Sequence, residues 1–148
     1  MRKLVSMLTL VALAALVVAA VSSARPTSGM FELSAKLTAA QEIPKQVVKD
    51  AGAKGSFTAT LSGTHLAWKL TFSGLTGAAT AAHIHLGGMG KSGNVVVPLC
   101  TPCKSGQKGT ATISASLLKT IQKHGTYVNV HTAKNPNGEI RGQLSAKG

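Results

Sequence analysis

Short runs in which apolar and polar residues alternate recur along this chain, and they constrain its fold more than any other feature. In the run from Met30 to Leu37, apolar side chains fall at every second position, at Phe31, Leu33, Ala35 and Leu37. Successive side chains of a β-strand point to opposite faces, so this spacing predicts a strand with one buried face. The recurrence of such runs predicts an all-β protein.

About eight such segments follow one another at nearly regular spacing. The predicted strands are 30–37, 55–62, 65–72, 78–86, 94–99, 108–114, 127–132 and 139–144. A long loop is expected between the first two, and one short helix over Leu117–Lys123, with Ser114 or Ser116 as its N-cap and Gly125 as its C-terminal stop. We therefore expect a single domain with an antiparallel Greek-key β-sandwich of about eight short strands and one short helix.

The N-terminus has the pattern of a secretory signal peptide. Arg2 and Lys3 precede an apolar run from Leu4 to Val21, and the small residues 22–24 close it. This order of positive, apolar and small residues predicts cleavage after Ala24, which leaves residues 25–148 as the mature domain. The alternative is an uncleaved membrane anchor, because the run has about the minimum length of a membrane span. Either way, we expect a secreted, periplasmic or cell-surface protein.

The chain is strongly basic, with 16 Lys and Arg against four Asp and Glu and a formal net charge of +12. Such a charge attracts polyanions, so an anionic cell-envelope polymer is a possible partner. The lysines are spread singly, however, and the five aromatic residues mostly fall where a core needs them. We therefore expect a solvated basic surface and no specific nucleic-acid binding. Membrane contact is expected only through the signal segment if it is uncleaved.

Two cysteines, Cys100 and Cys103, are separated by Thr101-Pro102. In an exported protein this pair predicts a small structural disulfide, because the compartment is oxidising. A redox or metal role is the alternative, but no second pair completes a four-sulfur site and the flanking residues indicate a loop rather than a helix N-terminus.

Three histidines form the candidate metal site. His83 and His85 flank Ile84 on one predicted strand, so both imidazoles lie on the same face. His131 lies on a late strand and shares its face with Tyr127 and Asn129. If the two strands are neighbours, three imidazoles converge, which suits copper or zinc. The alternative is that these histidines face solvent or satisfy hydrogen bonds near a sheet edge.

No catalytic constellation stands out, and we expect no enzyme activity. Asp50 is the only aspartate, and no Ser/His/Asp set or carboxylate pair is evident. Glu139 and His131 are separated by a turn and could face each other across the last hairpin. Gly90-Lys91-Ser92 resembles the end of a phosphate-binding loop, but that motif requires glycine where the chain has His85.

Several segments together resemble the CHRD domain, the domain named after chordin. They are residues 37–44, 66–77, 82–85, 93–99, 127–132 and 138–144. The resemblance covers nearly all of residues 30–145 and implies a secreted β-rich domain without an established enzyme activity. Chordin itself is an extracellular protein that binds growth factors. That binding role does not transfer to a single-domain member. The family resemblance, the export signal and the lack of a catalytic constellation together predict an extracytoplasmic binding or structural module, with an extracellular protein as a further candidate partner.

A second arrangement is similar to copper/zinc superoxide dismutase: a His-x-His strand, a late histidine and an arginine on the closing strand. This similarity implies that His83, His85 and His131 are copper ligands and that Arg141 guides an anionic substrate. The chain lacks a histidine suited to bridge copper and zinc and an aspartate near a zinc position. The alternative to the binding or structural module is therefore a copper- or zinc-binding protein without dismutase activity, with residues Arg141, Asn129 and Glu139 around the ligands.

Overall fold

A computed structural model describes residues 29–45 and 52–148. The predicted signal segment, residues 1–24, lies outside these ranges. The described part contains nine strands: β1 (Met30–Thr38), β2 (Lys54–Ser62), β3 (His65–Ser73), β4 (Ala79–Leu86), β5 (Val95–Cys100), β6 (Gln107–Thr112), β7 (Thr126–Thr132), β8 (Ile140–Gln143) and β9 (Ser145–Lys147). A 3₁₀ turn (Ala39–Gln41) follows β1, and one α-helix, α1 (Ala115–Gln122), precedes β7. None of the described helices has the length and apolar character needed to span a membrane.

The strands form one antiparallel sheet that folds over on itself. Its order is β5-β4-β7-β8-β1-β2-β3-β6, and β9 pairs with β1 beside this path. The halves meet where Thr38 of β1 pairs with Arg141 of β8, and the end strands β5 and β6 contact each other. Because β8 returns to lie beside the β1–β2–β3 meander, the spatial order is that of a Greek key. The predicted all-β antiparallel fold with one short helix is confirmed, and the sheet is nearly closed and sandwich-like.

The alternating residues of both halves face a common core. Phe57, Ile84, Val128 and Ile140 are fully buried in it. Each large aliphatic or aromatic side chain moved out of water contributes about 1.5–3 kcal/mol, so this face drives the folding of the sheet. The ninth strand was not predicted, because three residues are too few to show an alternating pattern.

Helix α1 begins two residues before the predicted start and ends one residue earlier. It begins at Ala115 because the hydroxyl of Ser114 accepts a hydrogen bond from the backbone N–H of Leu117, at 3.1 Å. The predicted stop at Gly125 was wrong in detail: the residue with left-handed backbone is His124, at φ 54°. Ile121 is fully buried and attaches the helix to the core.

Candidate functional site

The candidate site lies on the outer face of the β4–β7–β8 half of the sheet. Side chains of Ile84, Val128 and Ile140 point into the core, so their neighbours in each strand point the other way. In the register, Ala81 pairs with His131, His83 with Asn129, and His85 with Tyr127. Because β4 and β7 are adjacent, all three predicted histidines lie on one face of two neighbouring strands.

The three imidazole rings form a compact cluster. Nδ1 of His83 lies 3.1 Å from Nε2 of His131. The ring centroids are 4.9 Å apart for His83 and His131, 5.6 Å for His83 and His85, and 5.8 Å for His85 and His131. One nitrogen from each ring can be chosen so that all three lie within 4.8 Å of one another. The sequence prediction that these residues converge therefore agrees with the geometry.

Two backbone carbonyls fix which nitrogens face the cluster. Nδ1 of His131 lies 3.0 Å from the carbonyl oxygen of Pro136, and Nδ1 of His85 lies 3.0 Å from that of Gly93. A carbonyl oxygen only accepts hydrogen bonds, so both Nδ1 atoms must carry the proton. In a neutral ring, Nε2 then keeps its lone pair, as metal binding requires. Nε2 of His85 is buried and has no hydrogen-bond partner among the described residues.

Burial keeps the three rings neutral. His85 is 9% exposed and His131 is 8% exposed, while His83 is half-buried. Desolvation lowers the pKa of all three, and the neighbouring imidazoles lower the pKa values of His83 and His131 further. The pKa of His131 falls to about 4 despite its hydrogen bond to Pro136. All three rings are therefore neutral at neutral pH. Because Nε2 of His131 keeps its lone pair, Nδ1–H of His83 donates to it, and this proton must leave Nδ1 of His83 before that atom can bind an ion.

Glu139 holds the turn that supplies the Pro136 carbonyl. Its carboxylate accepts hydrogen bonds from the backbone and hydroxyl of Thr76 at 2.6 and 2.7 Å, from Thr132 at 2.6 Å, and from Asn135 at 3.1 Å. Burial raises the pKa of Glu139, but these hydrogen bonds outweigh it and leave the pKa below its usual value. Glu139 therefore stabilises the turn. The sequence pattern indicated that Glu139 could face His131 across the hairpin, but its four hydrogen bonds go to Thr76, Thr132 and Asn135.

Arg141 fixes the loop on the other side of the cluster. It is 2% exposed, and its Nη2 donates to the carbonyls of Gly88 and Lys91 at 3.1 and 2.7 Å. Its guanidinium carbon lies 3.5 Å from the ring centre of Tyr127, which stacks on His85 at 4.9 Å. This buried side chain orders the loop that supplies the Gly93 carbonyl.

Glu42 is a buried residue of this region that the sequence analysis missed. It is 3% exposed, and its Oε1, like Oδ1 of Asn129, has no hydrogen-bond partner in the described ranges. Burial raises the pKa of Glu42 to about 7, although the charge of Arg141 and a hydrogen bond from Asn129 oppose the shift. Glu42 follows the 3₁₀ turn in a stretch without periodicity. Its place in the segment 37–44, which resembles the CHRD domain, was the only available signal.

Two further features lie apart from the histidines. A cavity of about 640 Å³ is lined by Glu42, Met89, Arg141 and Gln143 among others, but by none of the three imidazoles. Cys100 and Cys103, at the end of β5, are joined as a disulfide in the structure. Neither feature contributes a ligand to the cluster.

Comparison with known proteins identifies one related family. The model of the CHRD domain matches residues 33–144. A search of curated proteins gave no match, and a search of solved structures gave none. The matched span includes the three histidines and both loops whose carbonyls orient them.

Proposed function

The chain belongs to the CHRD domain family, and from this premise we propose that it is an exported binding module that holds a copper or zinc ion through His83, His85 and His131. CHRD domains occur in extracellular proteins, and the family supports an extracellular-type binding or structural module. The signal-peptide pattern of residues 1–24 supports export. The ion is our addition to the family assignment.

The observation that carries this proposal is the fixed orientation of the imidazoles. Two separate loops supply carbonyls to Nδ1 of His85 and Nδ1 of His131, and in each neutral ring this leaves the lone pair on Nε2. A buried polar atom without a partner costs about 1–3 kcal/mol, and the Nε2 of His85 is such an atom. A bound ion would satisfy it and would use the orientation that the carbonyls maintain.

The distances are close to those of a metal site. Nitrogen ligands lie about 2.0–2.1 Å from zinc, so two ligands of one ion are at most about 4.2 Å apart. The His83–His131 pair already meets this limit at 3.1 Å. Ligands of a tetrahedral ion lie only about 3.3–3.4 Å apart, so the widest separation, within 4.8 Å, needs to shorten by up to about 1.4 Å, which side-chain rotation has to supply.

A binding role without turnover is part of the proposal. Glu139 is engaged by four hydrogen bonds in the turn, and Glu42 is buried beside Arg141 and Asn129. Neither carboxyl is among the cluster of possible ligand groups. Turnover of a defined substrate by the purified domain would contradict this part.

Calorimetric titration of the mature domain, residues 25–148, with Zn(II) and Cu(II) tests ion binding. We expect one ion per chain and affinities reduced roughly 100-fold or more in His83→Ala and His131→Ala. His65→Ala is the matched control, because His65 is an exposed histidine on β3. Equal binding of Zn(II), of Cu(II) and, measured without oxygen, of Cu(I) by the parent and all three variants would rule out the proposed site.

A further inference from the structure

We propose, resting on the ion-binding function above, that the three-histidine site selects monovalent copper over the divalent ions Zn(II) and Cu(II). The inference concerns the charge of the preferred ion. It follows from the donor atoms, from the charges around them and from the groups that hold the rings.

The donors carry no negative charge. The cluster consists of His83, His85 and His131, and no carboxylate or thiolate of the described residues joins it. The cost of moving an ion out of water rises steeply with its charge, so a divalent ion in a buried site needs anionic ligands or neighbours more than a monovalent one does. Three neutral imidazoles supply coordination without any such compensation.

A buried positive charge lies close to one of the ligand rings. Arg141 is buried, and only the ring of Tyr127 separates its guanidinium from His85. Tyr127 lies between them because β7 lies between β4 and β8. A buried cation repels a divalent ion about twice as strongly as a monovalent one at the same distance.

The groups that accept hydrogen bonds from the second nitrogen of the ligand rings are also uncharged. Many zinc-binding histidines donate their second N–H to a carboxylate, which raises the basicity of the ring and supplies negative charge. Here the acceptors are the carbonyls of Pro136 and Gly93. The nearby carboxylate of Glu139 is directed to Thr76, Thr132 and Asn135 instead. Because these acceptors are uncharged, they add no negative charge to the rings. The rings therefore suit an ion of low charge.

Separate affinities for the three ions test the selectivity. Cu(I) affinity is measured without oxygen, with ascorbate present, by competition with a chromophoric Cu(I) chelator. Zn(II) and Cu(II) affinities are measured by competition with chelators selective for each. We expect Cu(I) to bind roughly 100-fold or more tightly than either divalent ion. Cys100→Ser/Cys103→Ser is a control for binding by thiols, and its Cu(I) affinity should be unchanged.

Asn129→Asp provides a second test, in which an added negative charge is expected to shift the ion preference in the opposite direction. Asn129 pairs with His83 across β4 and β7, and aspartate has nearly the same shape with one added negative charge. We expect this variant to reduce the preference for Cu(I) about tenfold by favouring divalent ions. Circular dichroism establishes that the variant is folded.

The outcomes separate the two proposals. Divalent binding as tight as Cu(I) binding, lost in His131→Ala, would overturn the selectivity and leave the ion-binding function intact. A folded Asn129→Asp protein with an unchanged Cu(I) preference would also overturn the electrostatic explanation of the proposed selectivity. If no ion binds in a histidine-dependent way, both proposals fail.

Discussion

At the scale of single residues, Glu42 shows how burial changes the chemistry of one side chain. Its carboxyl lies beside Arg141 and Asn129, yet burial outweighs both and raises the pKa to about 7. At neutral pH this group is therefore partly protonated, unlike an exposed glutamate. Because the pKa of this carboxyl is higher in the folded state than in the unfolded chain, it couples the stability of the domain to pH.

The free energy of unfolding of the parent is expected to decrease as pH rises, because Glu42 ionises. We expect Glu42→Gln to lack this decrease. In the unfolded chain this carboxyl ionises near 4.5, but in the folded protein only near 7. Between these values the folded state binds more protons, so the free energy of unfolding falls with rising pH. Thermal unfolding at pH 5 and pH 8 should show a larger decrease in Tm for the parent than for Glu42→Gln, by roughly several degrees.

Glu32→Gln is the matched control, because Glu32 is exposed on β1. Its pH dependence should equal that of the parent. If the Tm of Glu42→Gln depends on pH as strongly as that of the parent, the pKa of Glu42 is not raised by burial.

At the scale of elements, the hairpin of β7 and β8 connects the core to the site. Val128 and Val130 of β7 pack into the core, while the alternate residues Asn129 and His131 face the cluster. The connecting turn supplies the Pro136 carbonyl to His131. One short hairpin therefore determines both the position of a ligand and its protonated nitrogen.

Gly138→Ala tests whether this turn controls the site. Gly138 has φ +128°, and an added Cβ would overlap the side-chain amide of Asn129. We expect a loss of about 1–3 kcal/mol in stability and weaker ion binding, because the turn and the Pro136 carbonyl must shift. Urea unfolding and Zn(II) titration measure the two effects.

Gly63→Ala separates backbone strain from the local contact. Gly63 also has positive φ, +61°, but a Cβ there would meet nothing within 4 Å. This variant should lose some stability and keep the ion affinity of the parent. Equal affinities for both glycine variants would argue against a role for the turn in the site.

At the scale of the whole molecule, most of the positive charge lies at the surface. The lysines in the described ranges are exposed, whereas Arg141 is buried. Excess positive charge at the surface attracts polyanions through long-range forces, which salt screens over about 8 Å at physiological ionic strength. We retain the proposal that an anionic cell-envelope polymer is a partner, bound without a dedicated pocket.

Chromatography on heparin, an anionic polymer, tests this proposal. We expect the mature domain to be retained at low salt and to elute by about 0.3 M salt, because dispersed lysines are easily screened. Duplex DNA of any sequence should bind with similar salt sensitivity. At 1 M salt the Debye length is only about 3 Å, so retention at that concentration would contradict binding through dispersed charge alone. A preference for one DNA sequence would contradict it too.

The sequence alone determined most of the strands and the face on which each side chain lies. This was possible because alternation is a local property of the chain, and it placed His83 and His85 together and His131 on the site face of its own strand. The CHRD segments extended the prediction to the family, which the match over residues 33–144 confirms.

Only the tertiary structure made a site from these residues. The pairing of Ala81 with His131 joins strands that are distant in sequence, and alternation within a strand cannot specify its neighbour. The carbonyls of Gly93 and Pro136 orient the rings through backbone atoms, which every residue has and no motif reveals. The burial of Glu42 likewise results from chain packing. Local pattern determined which face each histidine occupies, and long-range packing decided what that face can bind.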